Sequence, residues 1–173
     1  MKQIITTLSR GAVNFLAGLI RKKINVYSTD FGSSSERIDV FDGRTWISIF
    51  GFMNDDEEPD QENEDGHTFA IAKKKESDNP GRLLVDGKIV ESISTITMEN
   101  HTSKRGLDVI SENTLVFKFS DKTELVFFVF NDAGGLIDIY DSEEKFSTAV
   151  TPKDEFMETL ADDSSVSCIT KKL

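Results

Sequence analysis

The stretch Thr114-Leu115-Val116-Phe117-Lys118-Phe119-Ser120-Asp121-Lys122-Thr123-Glu124-Leu125-Val126-Phe127-Phe128-Val129-Phe130 decides the fold. Two apolar, strand-like runs, 114–120 and 123–130, flank Asp121-Lys122 and predict a hairpin. Residues 125–130 form the most apolar run in the chain and predict the centre of a sheet. Upstream, 37–41 and 44–53 flank Asp42-Gly43, and 82–85 and 88–98 flank Asp86-Gly87. An Asp-Gly pair favours the positive φ that tight hairpin turns require, so each predicts a further hairpin. Within 44–53, Trp46, Ser48, Phe50 and Phe52 alternate with Ile47, Ile49 and Gly51, which predicts a central strand covered on both sides.

Further strands are expected at 25–31, 68–75 and 136–140, with turns at 77–81 and 131–135 and a polar loop at 99–106. Residues 2–23 place Ile5, Leu8, Ala12, Phe15, Leu16 and Leu19 three and four apart, the period of an amphipathic helix. Gly11 and Gly18 weaken that helix, and a close approach to a sheet is the expected compensation. Thr151 as cap, Pro152 at the first helical position and Glu155 in the first turn predict a short helix over 151–161. The polar tail 162–173 is expected to fray. No strand–helix alternation occurs, which excludes a doubly wound parallel sheet. The expectation is a single α+β domain over 1–173. It is a strongly curved antiparallel sheet or half-barrel of about eight to ten strands, with the N-terminal helix packed on it and a short C-terminal helix.

Chemistry is conspicuous by what the sequence lacks. Only His67 and His101 occur, no His-x-x-x-His pair exists, and Cys168 is the single cysteine. A disulfide framework and a multi-cysteine metal site are therefore excluded. There is no G-x-S-x-G, Walker A or G-x-G-x-x-G motif, and no catalytic residue, metal ligand or cofactor is assigned. If Gly66 took the glycine position of an EF-hand loop, Gln61 and Ala72 would fall where its first and last ligands belong, so that motif fails. Ten of the thirteen Phe residues lie inside strand runs and read as core rather than as a base-stacking platform. Ser9, Arg10 and Asn14 interrupt the first apolar run, so neither an export signal nor a membrane span is expected and the chain reads as cytoplasmic. The sequon Asn100-His101-Thr102 is then accidental.

Charge is the informative feature. The net charge is −11, which argues against direct contact with nucleic acid or an anionic membrane. Residues 1–53 carry 7 Lys and Arg against 4 Asp and Glu, whereas residues 54–173 carry 13 against 27. The break at 54–66 holds Asp55, Asp56, Glu57, Glu58, Asp60, Glu62, Glu64 and Asp65 with no apolar residue, and is expected to be a mobile loop. A second cluster includes Asp138, Asp141, Glu143 and Glu144. Such carboxylate runs either keep a surface solvated or offer an electrostatic face to a basic protein. Lys73-Lys74-Lys75 reads as protection of a strand edge or as a counter-charge to 55–65.

A small acidic chain, rich in antiparallel strands and without catalytic motifs, resembles the immunity proteins of bacterial polymorphic toxin and contact-dependent growth inhibition systems. The segment Asn113-Thr114-Leu115-Val116-Phe117-Lys118-Phe119-Ser120-Asp121-Lys122-Thr123-Glu124-Leu125 is similar in style to hairpins in such proteins. No residue roles carry over from it. The resemblance implies a non-enzymatic inhibitor that binds a cognate toxin domain, often a nuclease, in the cytosol of the producing bacterium. Two readings from other classes stand beside it: a small hydrolase with a carboxylate pair in a cleft of the sheet, and a structural protein of a phage or mobile element.

Overall fold

The computed structural model describes residues 2–31, 34–54, 66–74, 80–102, 107–129, 135–150 and 164–173. The hairpin quoted above is its centre. Strands β7 (Leu107–Phe119) and β8 (Glu124–Val129) pair antiparallel, with Lys118 opposite Glu124 and Thr114 opposite Phe128. Lys122 adopts φ 69° in the turn. The Asp121 carboxylate accepts from the Thr123 amide at 3.1 Å and hydroxyl at 2.6 Å, and Lys88 lies 2.8 Å away. Alternation then sorts the side chains. Leu115, Phe117, Phe119, Leu125, Phe127 and Val129 enter the main core, while Val116, Val126 and Phe128 face the opposite way.

The sheet closes. Strands β2 (Lys23–Phe31), β3 (Ser34–Phe41), β6 (Arg82–Thr102) and β9 (Ile137–Tyr140) complete a six-strand ring in the order β7-β8-β9-β3-β2-β6 and back to β7. The half-barrel expected from sequence is thus a closed barrel, in which no ring strand is left as an open edge. Among the described residues, β9 meets β3 at Ser34↔Asp138 and Ser35↔Ile137.

The expected hairpin at Asp86-Gly87 is overturned, because β6 runs through it unbroken. Ile24 pairs with Lys88 and Val26 with Val85, so two steps along β2 answer three along β6. Gly87 sits at φ 60°, and its amide donates to the Asn25 side-chain oxygen at 2.9 Å. The Asp-Gly pair supplies the positive φ of a bulge, and both flanks keep one partner strand. The hairpin at Asp42-Gly43 does form, with Gly43 at φ 86° between β3 and β4 (Trp46–Asn54). β4 is central between β3 and β5 (Gly66–Lys74), but its outer face is only half covered, since Phe52 is 47% exposed.

Two further expectations fail at the termini. Residues 2–23 are not one helix: β1 (Lys2–Thr6) is a strand parallel to β7, and α1 spans only Arg10–Ala17. The helix begins where the Ser9 hydroxyl accepts the Ala12 amide at 3.1 Å. Leu8, Ala12, Leu16 and Leu19 do reach the barrel core, whereas Phe15 and Ile5 stay outside. Gly11 meets no sheet; a Cβ there would touch only Ser9. The tail does not fray, because β10 (Ser164–Lys172) pairs with β6 from Thr102 to Ser94. β6 and β7 also extend into the expected loop 99–106, leaving only 103–106 outside the described residues. The helix expected at 151–161 and parts of the turns 77–81 and 131–135 also lie outside them. A short helix, α2 (Glu143–Ala149), precedes that segment and was not anticipated. Its Phe146 caps a second, smaller core of Ile96, Met98, Val109, Val116, Val126 and Phe128.

Candidate functional site

The eight carboxylates of 55–65 lie outside the described residues. Their attachment points are described: Asn54 ends β4, Gly66 begins β5, and the two are register partners. The run therefore joins the paired ends of a hairpin that lies off the barrel ring.

The second cluster is described, and three of its four carboxylates, Asp138, Asp141 and Glu143, have partners within the chain. Asp138 accepts the Ser34 hydroxyl across the β3–β9 seam. Asp141 pairs with Lys145 at 2.6 Å, one turn along α2. Glu143 pairs with Lys118, which also reaches Glu124 at 3.0 Å. The Glu124 carboxylate in turn accepts the Glu143 amide at 2.9 Å. Bonds from Glu143 and Glu124 raise the Lys118 pKa. The Glu143 amide, with Lys118, holds Glu124 below the ordinary carboxylate value although burial opposes this. Glu143 and Glu144 occupy the first turn of α2, where carboxylates suit the helix dipole. Of these, Glu143 links α2 to the β7–β8 hairpin through Lys118 and Glu124, and Glu144 is exposed to solvent.

Sequence reasoning missed a buried polar knot beside β1. Glu112 is only 7% exposed. Its carboxylate accepts the Leu8 amide at 2.8 Å and the Thr95 hydroxyl at 2.7 Å, and its carbonyl accepts the Thr68 hydroxyl at 2.8 Å. One residue thus ties the β1–α1 connection, β5 and β6 to β7. A bulge sets its direction: Ile96 pairs with Thr114 but Thr97 with Glu112, so Asn113 is the extra residue. No motif marks such a residue in the sequence, since its partners come from positions 8, 68 and 95.

Above this knot lies an open groove of about 480 Å³ lined by β1, the residues that follow it, Phe52 and β5. Thr6 lines it, is 5% exposed, and has a hydroxyl oxygen with no hydrogen-bond partner. Two smaller grooves are also lined by described residues. One, of about 390 Å³, runs along α2 past Glu144, and one of about 150 Å³ runs past Asp42 between α1 and β4. The first groove holds no carboxylate and the other two hold one each.

His101 sits on the arm formed by β6 and β7, with Nδ1 3.0 Å from Asp108 and Nε2 3.5 Å from Glu99. The Asp108 bond raises its pKa, desolvation opposes this, and Glu99 adds a smaller upward push. The two carboxylates address opposite ring nitrogens, so they do not converge on one ligand point. Cys168 is exposed on β10 opposite Met98, and His67 lies in β5 opposite Met53. Among the described residues no three His, Cys, Asp or Glu side chains group as metal ligands. No helix among them is long and apolar enough to cross a membrane. Comparison with known proteins finds no match to any protein family, curated protein or solved structure.

Proposed function

We propose that this chain is a non-enzymatic inhibitor that binds and neutralises a basic protein, in the manner of the immunity proteins it resembles. The partner is a toxin domain, a nuclease by preference, met in the cytosol of the producing bacterium. The observation that supports the reading is the density of charge in one stretch of sequence. Asp55, Asp56, Glu57, Glu58, Asp60, Glu62, Glu64 and Asp65 follow one another between Asn54 and Gly66, the register partners that end β4 and begin β5, with no apolar residue among them. Of the second cluster, Glu143 pairs with Lys118 and Asp138 accepts from Ser34, while Asp141 pairs with Lys145 at the exposed surface. A dense carboxylate run presents charge as a nucleic acid does, and opposed fields raise association rates to about 10⁸ M⁻¹s⁻¹ or more. A carboxylate-pair hydrolase has no specific observation in its favour: among the described residues, the grooves beside β1, along α2 and past Asp42 each hold at most one carboxylate.

The test uses the C-terminal domain of the large secreted protein that this reading expects in the adjacent upstream reading frame. That domain arrests growth of a host when expressed alone, and this chain restores growth. Reversing Asp55, Asp56, Glu57 and Glu58 together to lysine raises the Kd at least about tenfold and flattens its dependence on salt. Absence of rescue by the wild type, or unchanged affinity and salt slope in the variant, removes the reading.

A further inference from the structure

β10 is an edge strand. Among the described residues it pairs with β6 and with no other strand, from Ser164↔Thr102 to Lys172↔Ser94. This ladder runs for nine residues without a register shift. Its end is pinned, because the Leu173 amide donates to the Ile93 carbonyl at 3.0 Å and Leu173 packs on the main core. Residues 167–172 are exposed on both faces of the strand, and Ile169, at 51%, is one of the large apolar side chains left in water. Natural edge strands are blunted by brevity, proline, a bulge or inward charge. β10 has none of the first three, and its charges, Lys171 and Lys172, stand together at one end.

Such an edge is completed by another strand, and β10 is complementary to itself. We infer that two copies of this chain pair through β10, antiparallel about a two-fold axis at Cys168. Opposed residues in an antiparallel pair must both turn their main-chain groups the same way, so the axis passes through a residue and not between two. An axis at Cys168 keeps all nine residues of the strand paired, and any other leaves fewer. Lys171 and Lys172 then fall opposite positions 165 and 164 of the second copy, so no lysine faces a lysine, whereas a parallel in-register pairing would stack them. Ile169 and its symmetry mate become diagonal neighbours on one face, which removes exposed apolar surface from water. On the other face Cys168 lies directly opposite its mate. The two sheets join in the order β1-β7-β6-β10-β10-β6-β7-β1. The inference concerns assembly and stands independently of the proposed function.

Sedimentation of the full chain over a dilution series is expected to show a reversible monomer–dimer equilibrium. Directly opposed Cα atoms lie about 4.5–5.5 Å apart, inside the roughly 4.4–6.8 Å that a disulfide spans. Oxidised glutathione should therefore join the two Cys168 sulfurs into a covalent dimer, leaving as two molecules of glutathione that carry off both thiol hydrogens. Cys168→Ser keeps the reversible dimer and loses the covalent one. Adding Lys172→Cys to that variant does not restore the cross-link, because the two positions 172 lie about eight strand steps apart, roughly 27 Å. Ile169→Glu, at a half-exposed position, is expected to raise the dimer Kd at least about tenfold. A chain that stays monomeric throughout the series overturns the inference. So does a Lys172→Cys cross-link as efficient as that of Cys168, which would mark random collision or another register. A dimer of unchanged affinity in Ile169→Glu overturns it as well.

Discussion

At the scale of single residues, the structure depends on polar groups that the sequence does not advertise. Glu112 satisfies the Leu8 amide and the Thr95 hydroxyl at once, and Thr95 is fully buried. Glu112→Ala strands two donors without water, each costing about 1–3 kcal/mol. The expected loss is about 2–5 kcal/mol in urea unfolding, and a loss no larger than that of a surface substitution would show that the knot does not hold these elements together. His101 makes a prediction of opposite character. Its folded-state pKa is raised above 6.5, first by Asp108 and then by Glu99. A raised basic group stabilises the fold fully below pH 6.5 and loses that contribution as pH climbs through the folded-state pKa. His101→Gln is therefore expected to cost more stability at about pH 5.5 than at about pH 9. An equal cost at both, or an NMR titration of His101 below 6.5, contradicts the pairing.

At the scale of elements, two glycines separate close approach from backbone conformation. A Cβ on Gly51 would lie 2.0 Å from the Gly135 carbonyl oxygen, where backbone meets backbone and neither yields cheaply. A Cβ on Gly87 would meet only the end of the Lys23 side chain at 2.6 Å, which can swing away, so its cost lies in the φ of 60°. Gly51→Ala is expected to lose about 3 kcal/mol or more and Gly87→Ala about 1–2 kcal/mol, measured by thermal unfolding. The reverse order would mean that the bulge, not the β4 contact, is the tighter constraint. These elements also show how far local sequence carries. The hairpins at Asp42-Gly43 and Asp121-Lys122 were legible because turn and strands agree within a dozen residues. Asp86-Gly87 misled because a bulge and a turn ask for the same φ, and only β2, some sixty positions away, decides between them. Residues 2–6 carry two signals at once: Ile4, Ile5 and Thr6 suit a strand, while Ile5 also continues the helical period of Leu8, Ala12, Leu16 and Leu19.

At the scale of the whole molecule, the α+β class and the dominance of antiparallel pairing could be read from composition and turns, but closure could not. A ring depends on one seam, β9 against β3, and on a β6 long enough to change neighbours along its length. Neither leaves a local trace. Of the candidate site, the acidic run was legible as charge alone, whereas the groove arises from β1, β4 and β5, which meet only in the fold. The roles of Asp138, Asp141 and Glu143 were hidden for the same reason, since Ser34 and Lys118 are distant in sequence. The neighbours of the β6–β7 arm set an order of assembly. β1 finds its partner only at Leu107–Ser111, and β10 completes the arm from the far end of the chain. During synthesis β1 must wait until Leu107–Ser111 have emerged, and contacts this distant in sequence are slow to form. The region from β1 to β10 should thus acquire protease resistance late and nearly all at once, once β7 and β10 are available to pair.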